Sequence, residues 1–184
     1  SFGIPVVEAV RRITRLPLDV HLMISHPERY VKAFRDAGAD LISVHVEAAQ
    51  DLHALLGKIR GLGAGAGIAI NPPTPIESLE PFVMECDLVL TMSVMPGFGG
   101  QEFQPEVLQK VHWLREHAPP NVLLSIDGGV NLDTIGSCAQ AGAEMFIVGT
   151  ALLDHNDYQR RMADLTAKAR AAFVDRGHQA APRV

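Results

Sequence analysis

Three short stretches carry most of the chemistry this chain could perform. In "LLSIDGG", Asp127 ends an apolar run directly before two glycines. A carboxylate there is too costly to bury unpaired, so it calls for a cation, a metal or several N–H donors. Its plainer reading is a turn aspartate bonded to its own backbone. In "DVHLM", Asp19, His21 and Met23 alternate and therefore share one strand face. His21 is either a satisfied core histidine or a ligand, with Asp19 one layer deeper and placed to orient it. In "HVEA", His45 and Glu47 share a face, and an interior hydrogen-bonded pair is preferred over ligation. Taken alone, Met23 and Met92 read as core filler. The other histidines, His26, His53, His112, His117, His155 and His178, fall on helices, loops or the tail and read as solvated.

Glycines mark a second set of candidates. "TMSVMPGFGGQ" places Gly97, Gly99 and Gly100 within four positions, which lets a backbone approach a ligand closely or lets a loop move. The dinucleotide pattern G-x-G-x-x-G fails because Glu102 stands at the third glycine position, and no Gly-Lys-Ser/Thr step is present. A nucleotide is therefore not indicated. Gly97–Gly100, Gly128–Gly129 and Gly149–Thr150 end three successive predicted strands. Each alone reads as a tight turn; together their N–H groups point to a phosphate.

The elements that must position these residues alternate in period. Strands are predicted over residues 16–24, 40–48, 66–72, 87–94, 121–129 and 144–153, with helices between and after them. The segment "SHPERYVKAFRDAG" reads as a helix with a Ser25–Glu28 capping box, an apolar stripe of Tyr30, Val31 and Phe34, and a stop at Gly38. "PIESLEPFVMEC" is also read as a helix. The opening "SFGIPVVEAV" starts a helix with Val6, Val7, Val10 and Ile13 on one apolar face. Residues 37–44, "AGADLISV", and 141–148, "AGAEMFIV", share one grammar: helix end, glycine stop, short polar step, buried strand. Six strands alternating with helices imply parallel pairing with right-handed crossovers, and strands apolar nearly throughout imply cover on both faces. An open doubly wound sheet and a (β/α) barrel both fit.

The chain has 184 residues, 47% hydrophobic and 20% charged, with a net charge of −5. This suits one soluble domain, residues 1–174, followed by a frayed tail over 175–184. No basic stripe interleaved with aromatics suggests nucleic acid, and no apolar run is long enough for a bilayer. Cys86 and Cys138 lie far apart without metal-ligand spacing, which fits a reducing cytoplasm.

The motifs "LPLDVHLMI", "HPERY", "AGAD…VHVEA", "MSVMPGFGGQEF" and "IDGGVNLDT", in this order, resemble the ribulose-phosphate 3-epimerase family over nearly the whole chain. The resemblance implies a TIM (β/α)8 barrel that interconverts D-ribulose 5-phosphate and D-xylulose 5-phosphate, in the pentose phosphate pathway or the Calvin cycle. It also implies a divalent metal, zinc or iron foremost, with manganese or cobalt as alternatives, and two proton-transferring aspartates. By this resemblance His21 is a metal ligand, and Asp127 is both ligand and catalytic acid. Met23 and Met92 line the pocket. Gly97, Phe98, Gly99 and Gly100 form a loop closing over the substrate, and Gly128, Gly129, Gly149 and Thr150 grip its phosphate. Thr150 stands where the family usually has Ser. The family's first two strands, which carry a substrate-contacting Ser and a His-x-Asp pair, have no counterpart, since the chain begins at a step matching Phe2–Gly3. The expectation is thus a barrel lacking its first two strands and first helix, with six βα units, inactive alone and a homo-oligomer when full length. An allulose-6-phosphate 3-epimerase and a silent phosphate-binding fragment are the alternatives.

Overall fold

The computed structural model describes residues 2–97 and 101–173. Thirteen regular elements follow the alternation in order. They are α1 (Ile4–Ile13), β1 (Asp19–Leu22), α2 (Val31–Asp36), β2 (Leu41–His45), α3 (Leu52–Gly61), β3 (Gly65–Ile70), β4 (Leu88–Met92), α4 (Leu108–His117), β5 (Leu123–Asp127), α5 (Ile135–Ala141), β6 (Met145–Ile147), α6 (Thr150–Leu153) and α7 (Tyr158–Ala172). The strands form one sheet in sequence order, β1 to β6, and the pairs β1–β2, β2–β3 and β5–β6 are parallel. This is the α/β arrangement expected of βα units. The tail over 175–184 and the loop residues Phe98, Gly99 and Gly100 lie outside the described residues.

The chain divides into two compact units, Ser1–Leu90 and Thr91–Val184. In the first, strand residues Ile42, Val44, Ile68 and Ile70 and helix residues Leu56 and Ile59 are almost wholly buried. In the second, Ile126 packs with Val107, Val111, Val130, Ile135, Cys138 and Leu165 in one cluster. Strands buried on both faces lose alternation, which is why they read as continuous apolar runs.

A reciprocal clamp recurs where alternate strands begin. The Asp40 carboxylate accepts from Leu18 N–H at 2.9 Å while Asp40 N–H donates to Leu18 O at 2.9 Å. Asp87 does the same with Ala66, at 2.7 Å in both directions. Glu144 does so with Leu124, at 3.1 and 2.8 Å. The short polar step read in the two "AGA" junctions is this clamp. Before two of these carboxylates stands a glycine with positive φ, Gly38 at 114° and Gly142 at 117°. A Cβ on Gly38 would lie 2.5 Å from Arg11 Cδ, and one on Gly142 would lie 2.7 Å from Arg115 Cδ. The glycine therefore both ends the helix and leaves room for an arginine stem.

Several local expectations change. Of the α1 stripe only Val7 is buried, while Val6, Val10 and Ile13 are exposed. The helix is docked by the Val7–Arg11 face, because Arg11 reaches Asp40 at 2.8 Å and the carbonyls of Thr14 and Leu16. The Ser25–Glu28 capping box does not form. The cap is His26 in a left-handed conformation, a 3-10 turn covers Pro27–Arg29, and Tyr30 is exposed. "PIESLEPFVMEC" is two 3-10 turns, Ile76–Leu79 and Val83–Glu85, since Pro81 has no N–H to offer Glu77 in an α-helical ladder. The last strand stops at Ile147, and the "TALL" assigned to it is α6.

Candidate active site

In the first unit, parallel register sets His21 opposite Ser43, and His45 follows two residues on along the same face of β2. His21 Nε2 and His45 Nε2 lie 2.8 Å apart. Their ring centroids are 4.8 Å apart at 27° between planes, so the rings meet nitrogen to nitrogen and nearly coplanar. His45, 4% exposed, turns its Nδ1 to Glu47 Oε2 at 3.2 Å. Glu47 Oε1 accepts from Asn71 N–H at 2.9 Å and from the Thr74 hydroxyl. The interior His45–Glu47 pair expected from the sequence is therefore present. Asp19 is exposed, not a deeper layer behind His21, and His45 is the residue that meets the ring. Met23 is 47% exposed.

Burial, reinforced by the neighbouring His45, lowers His21 to about 4. The ring is thus neutral near pH 7 and keeps an electron pair. Burial pushes Glu47 upward, but the donors from His45, Thr74 and Asn71 outweigh it and hold its carboxyl at about 2.

In the second unit Asp127 ends β5, partly buried. Burial raises its carboxyl above the usual range, opposed by the Gly128 N–H. Its main chain is held by Ser93, a fully buried residue just past β4. Ser93 N–H donates to Asp127 O at 2.7 Å, and Ser93 Oγ to the same oxygen at 2.9 Å and to Gly128 O. Gly128 has φ 111° and Gly129 φ 60°. A Cβ on Gly128 would lie 2.6 Å from Val94 Cγ2, and one on Gly129 would lie 2.9 Å from Phe103 N. Both glycines are thus required by the tip's own packing. Gly97, Gly149 and Thr150 are exposed ends after β4 and β6. Met92 is 1% exposed. Sequence reasoning missed Ser93, Asn71 and Thr74. A serine closing an apolar strand was the one available signal, because its hydroxyl must find a buried acceptor.

His21 and Asp127 are donors of the types that zinc and iron accept. Among the described residues, however, no three His, Cys, Asp or Glu side chains gather as a metal-holding group. No helix among the described residues is long and apolar enough to cross a membrane.

The fold matches solved structures of low sequence identity. The KGPDC from Streptococcus mutans in complex with D-R5P superposes with a TM-score of 0.76 at 14% identity, over 94% of this chain and 81% of that one. The 3-keto-L-gulonate-6-phosphate decarboxylase from Vibrio cholerae gives 0.74 at 19% identity over the same shares. At such identities these show a TIM-barrel-type α/β fold and nothing more. Sequence comparison goes further, because the model of the ribulose-phosphate 3 epimerase family matches residues 1–153. The ribulose-phosphate 3-epimerase of Bacillus subtilis is 42% identical over 169 residues, 90% of this chain and 78% of that protein. That of Synechocystis is 45% identical over 168 residues, 89% and 73%. The chain belongs to the ribulose-phosphate 3-epimerase family, whose members are isomerases.

Proposed function

We propose that this chain serves the metal-dependent interconversion of D-ribulose 5-phosphate and D-xylulose 5-phosphate. The observation that carries the reading is Asp127, a carboxyl raised by burial at a strand tip and fixed through its main chain by Ser93. Epimerisation next to a carbonyl removes the C3 proton from one face, leaves an enediolate, and returns a proton to the other face. A carboxyl of raised pKa suits both accepting and returning that proton. Asp127 is one of the two proton-transfer groups. A divalent ion, zinc or iron in this reading, would neutralise the charge that develops on the substrate oxygens, and His21 and Asp127 are assigned to it by family membership. Met23 and Met92 are assigned to the pocket wall on the same ground. So are Gly97, Phe98, Gly99 and Gly100 to the closing loop, and Gly128, Gly129, Gly149 and Thr150 to the phosphate.

The reading includes a cytoplasmic homo-oligomer, and two free, buried cysteines are in keeping with a reducing compartment. Since no three His, Cys, Asp or Glu side chains gather among the described residues, a preparation limited to these 184 residues is expected to turn over little substrate. The test is exchange of the substrate C3 proton with solvent deuterium, followed by proton NMR in a preparation that turns over. Asp127→Asn abolishes it, and retained exchange would remove Asp127 from its role. Running the same exchange on allulose 6-phosphate separates the pentulose from the hexulose substrate.

A further inference from the structure

We infer that Ser93 is a positioning residue for the proposed reaction and aims the Asp127 carboxyl by fixing the Asp127–Gly128 peptide plane. The carbonyl of Asp127 and the N–H of Gly128 belong to one planar amide, so neither end turns without the other. At the oxygen end Ser93 donates through its amide at 2.7 Å and through its hydroxyl at 2.9 Å. At the nitrogen end the Gly128 N–H interacts with the Asp127 carboxyl itself. A restraint placed on the carbonyl is therefore passed through the plane to the carboxyl, although the bonds of the Ser93 hydroxyl go to main-chain oxygens.

The tip needs such a restraint from outside. Two glycines follow Asp127, with φ of 111° and 60°, and glycine gives a backbone its widest freedom. The carbonyls of Asp127, Gly128 and Gly129 are all held. The Ser93 hydroxyl reaches Gly128 O as well as Asp127 O. Gly129 O accepts from Asn131 Nδ2 at 3.2 Å and from the Thr134 hydroxyl at 3.1 Å. Ser93 is wholly buried, and alanine there would fill nearly the same space and keep the amide bond. What the hydroxyl adds is a second restraint on the plane next to the acid. A group that transfers a proton works only when it is held in line with the reacting atom, so this restraint bears on turnover and not only on stability. Taking Asp127 to move the C3 proton rests on the proposed function; the link from Ser93 to the carboxyl stands on geometry within the second unit.

The test has two arms. The first is the three-bond Hα–Hβ coupling of Asp127, measured by NMR in the metal-free 184-residue chain and in its Ser93→Ala variant. Wild type is expected to show the couplings of one staggered rotamer, and Ser93→Ala the intermediate values of an averaged side chain. Values unchanged in a folded Ser93→Ala chain overturn the inference. So do averaged values in wild type, a spectrum that needs no variant to fold. The second arm is exchange of the substrate C3 proton in a preparation that turns over. In Ser93→Ala kcat is expected to fall roughly ten- to a hundredfold, the scale of loss when an aligned group is slightly misplaced, with KM unchanged. A raised KM with kcat unchanged overturns the inference, because the hydroxyl would then serve substrate binding through the glycines. Equal kcat and KM in the two proteins overturn it too. Exchange retained in Asp127→Asn defeats the proposed function instead, and the coupling arm uses no substrate, so the two failures are separable.

Discussion

Ser93 and Asp127 are joined twice at one atom: the Ser93 amide and hydroxyl both donate to the Asp127 main-chain oxygen, at 2.7 and 2.9 Å. Ser93 O in turn accepts from Gln104 N–H at 3.0 Å. The start of the glycine segment, its return and the tip of β5 are thereby tied at one buried residue. Ser93→Ala keeps the amide bond and removes the hydroxyl, leaving Asp127 O and Gly128 O with one donor fewer between them. A loss of about 1–2 kcal/mol in unfolding free energy is expected, read by urea denaturation. A change lost in experimental error would mean the hydroxyl contributes nothing to holding the tip.

Acid should weaken the metal-free chain in two stages. His21 titrates at about 4 when folded against 6.5 ordinarily. Between those values the unfolded chain binds a proton that the folded chain refuses, so stability is full above pH 6.5 and falls as pH drops toward 4. Glu47 titrates at about 2 against 4.5, and its contribution is present above pH 4.5 and lost as pH falls toward 2. Asp127 works in the opposite direction, because a carboxyl raised by burial favours the folded state as it becomes protonated. Thermal unfolding from pH 8 to pH 3 should show the first decline, and His21→Leu should remove it while leaving the second. A wild-type profile flat between pH 6.5 and 4 contradicts this account.

Much of this was legible in the sequence because local signals and tertiary demands agreed. Gly38 and Gly142 stop helices and also admit arginine stems, so one residue type satisfied two constraints and stood out twice. Asp127 was conspicuous because an ionisable group in an apolar run must be explained. What escaped depended on partners distant in sequence. Val6, Val10 and Ile13 have the period of a buried face, yet the helix docks through Arg11, and its distant partner Asp40 lies 29 residues away. Asp87 was not recognised as a third clamp, since "CD" lacks the glycine that marks the other two. Asp19 shares strand parity with His21 but is exposed, and parity alone does not report depth.

Gly128→Ala should be costly for two separable reasons. Its φ of 111° is one that a side-chain-bearing residue rarely adopts, and the new Cβ would meet Val94 Cγ2 at 2.6 Å. Backbone strain of this kind costs about 1–3 kcal/mol, and overpacking adds about as much again. Val94→Ala in the same chain removes the clashing methyl group and should recover the packing part alone. Chemical denaturation of the two single variants and the double variant measures the coupling. Additive losses would show that Val94 is not what excludes a side chain at this position.

The recurring clamp makes Asp87 the most informative carboxylate to remove. Ala66 is wholly buried, and its N–H donates to Asp87 Oδ2 at 2.7 Å. Arg60 meets the same carboxylate with Nη2 at 3.0 Å and Nε at 3.3 Å, but this pair lies at the surface, where ion pairs contribute about 0–1 kcal/mol. Asp87→Ala strands the Ala66 N–H and is expected to lose about 1–3 kcal/mol. Asp87→Asn keeps an acceptor oxygen and surrenders only the charge, so its loss should be a fraction of that. Protection of the Ala66 amide from hydrogen exchange should fall in Asp87→Ala and largely persist in Asp87→Asn. Equal losses in the two variants would assign the stabilisation to the Arg60 pair and not to the strand-start hydrogen bond.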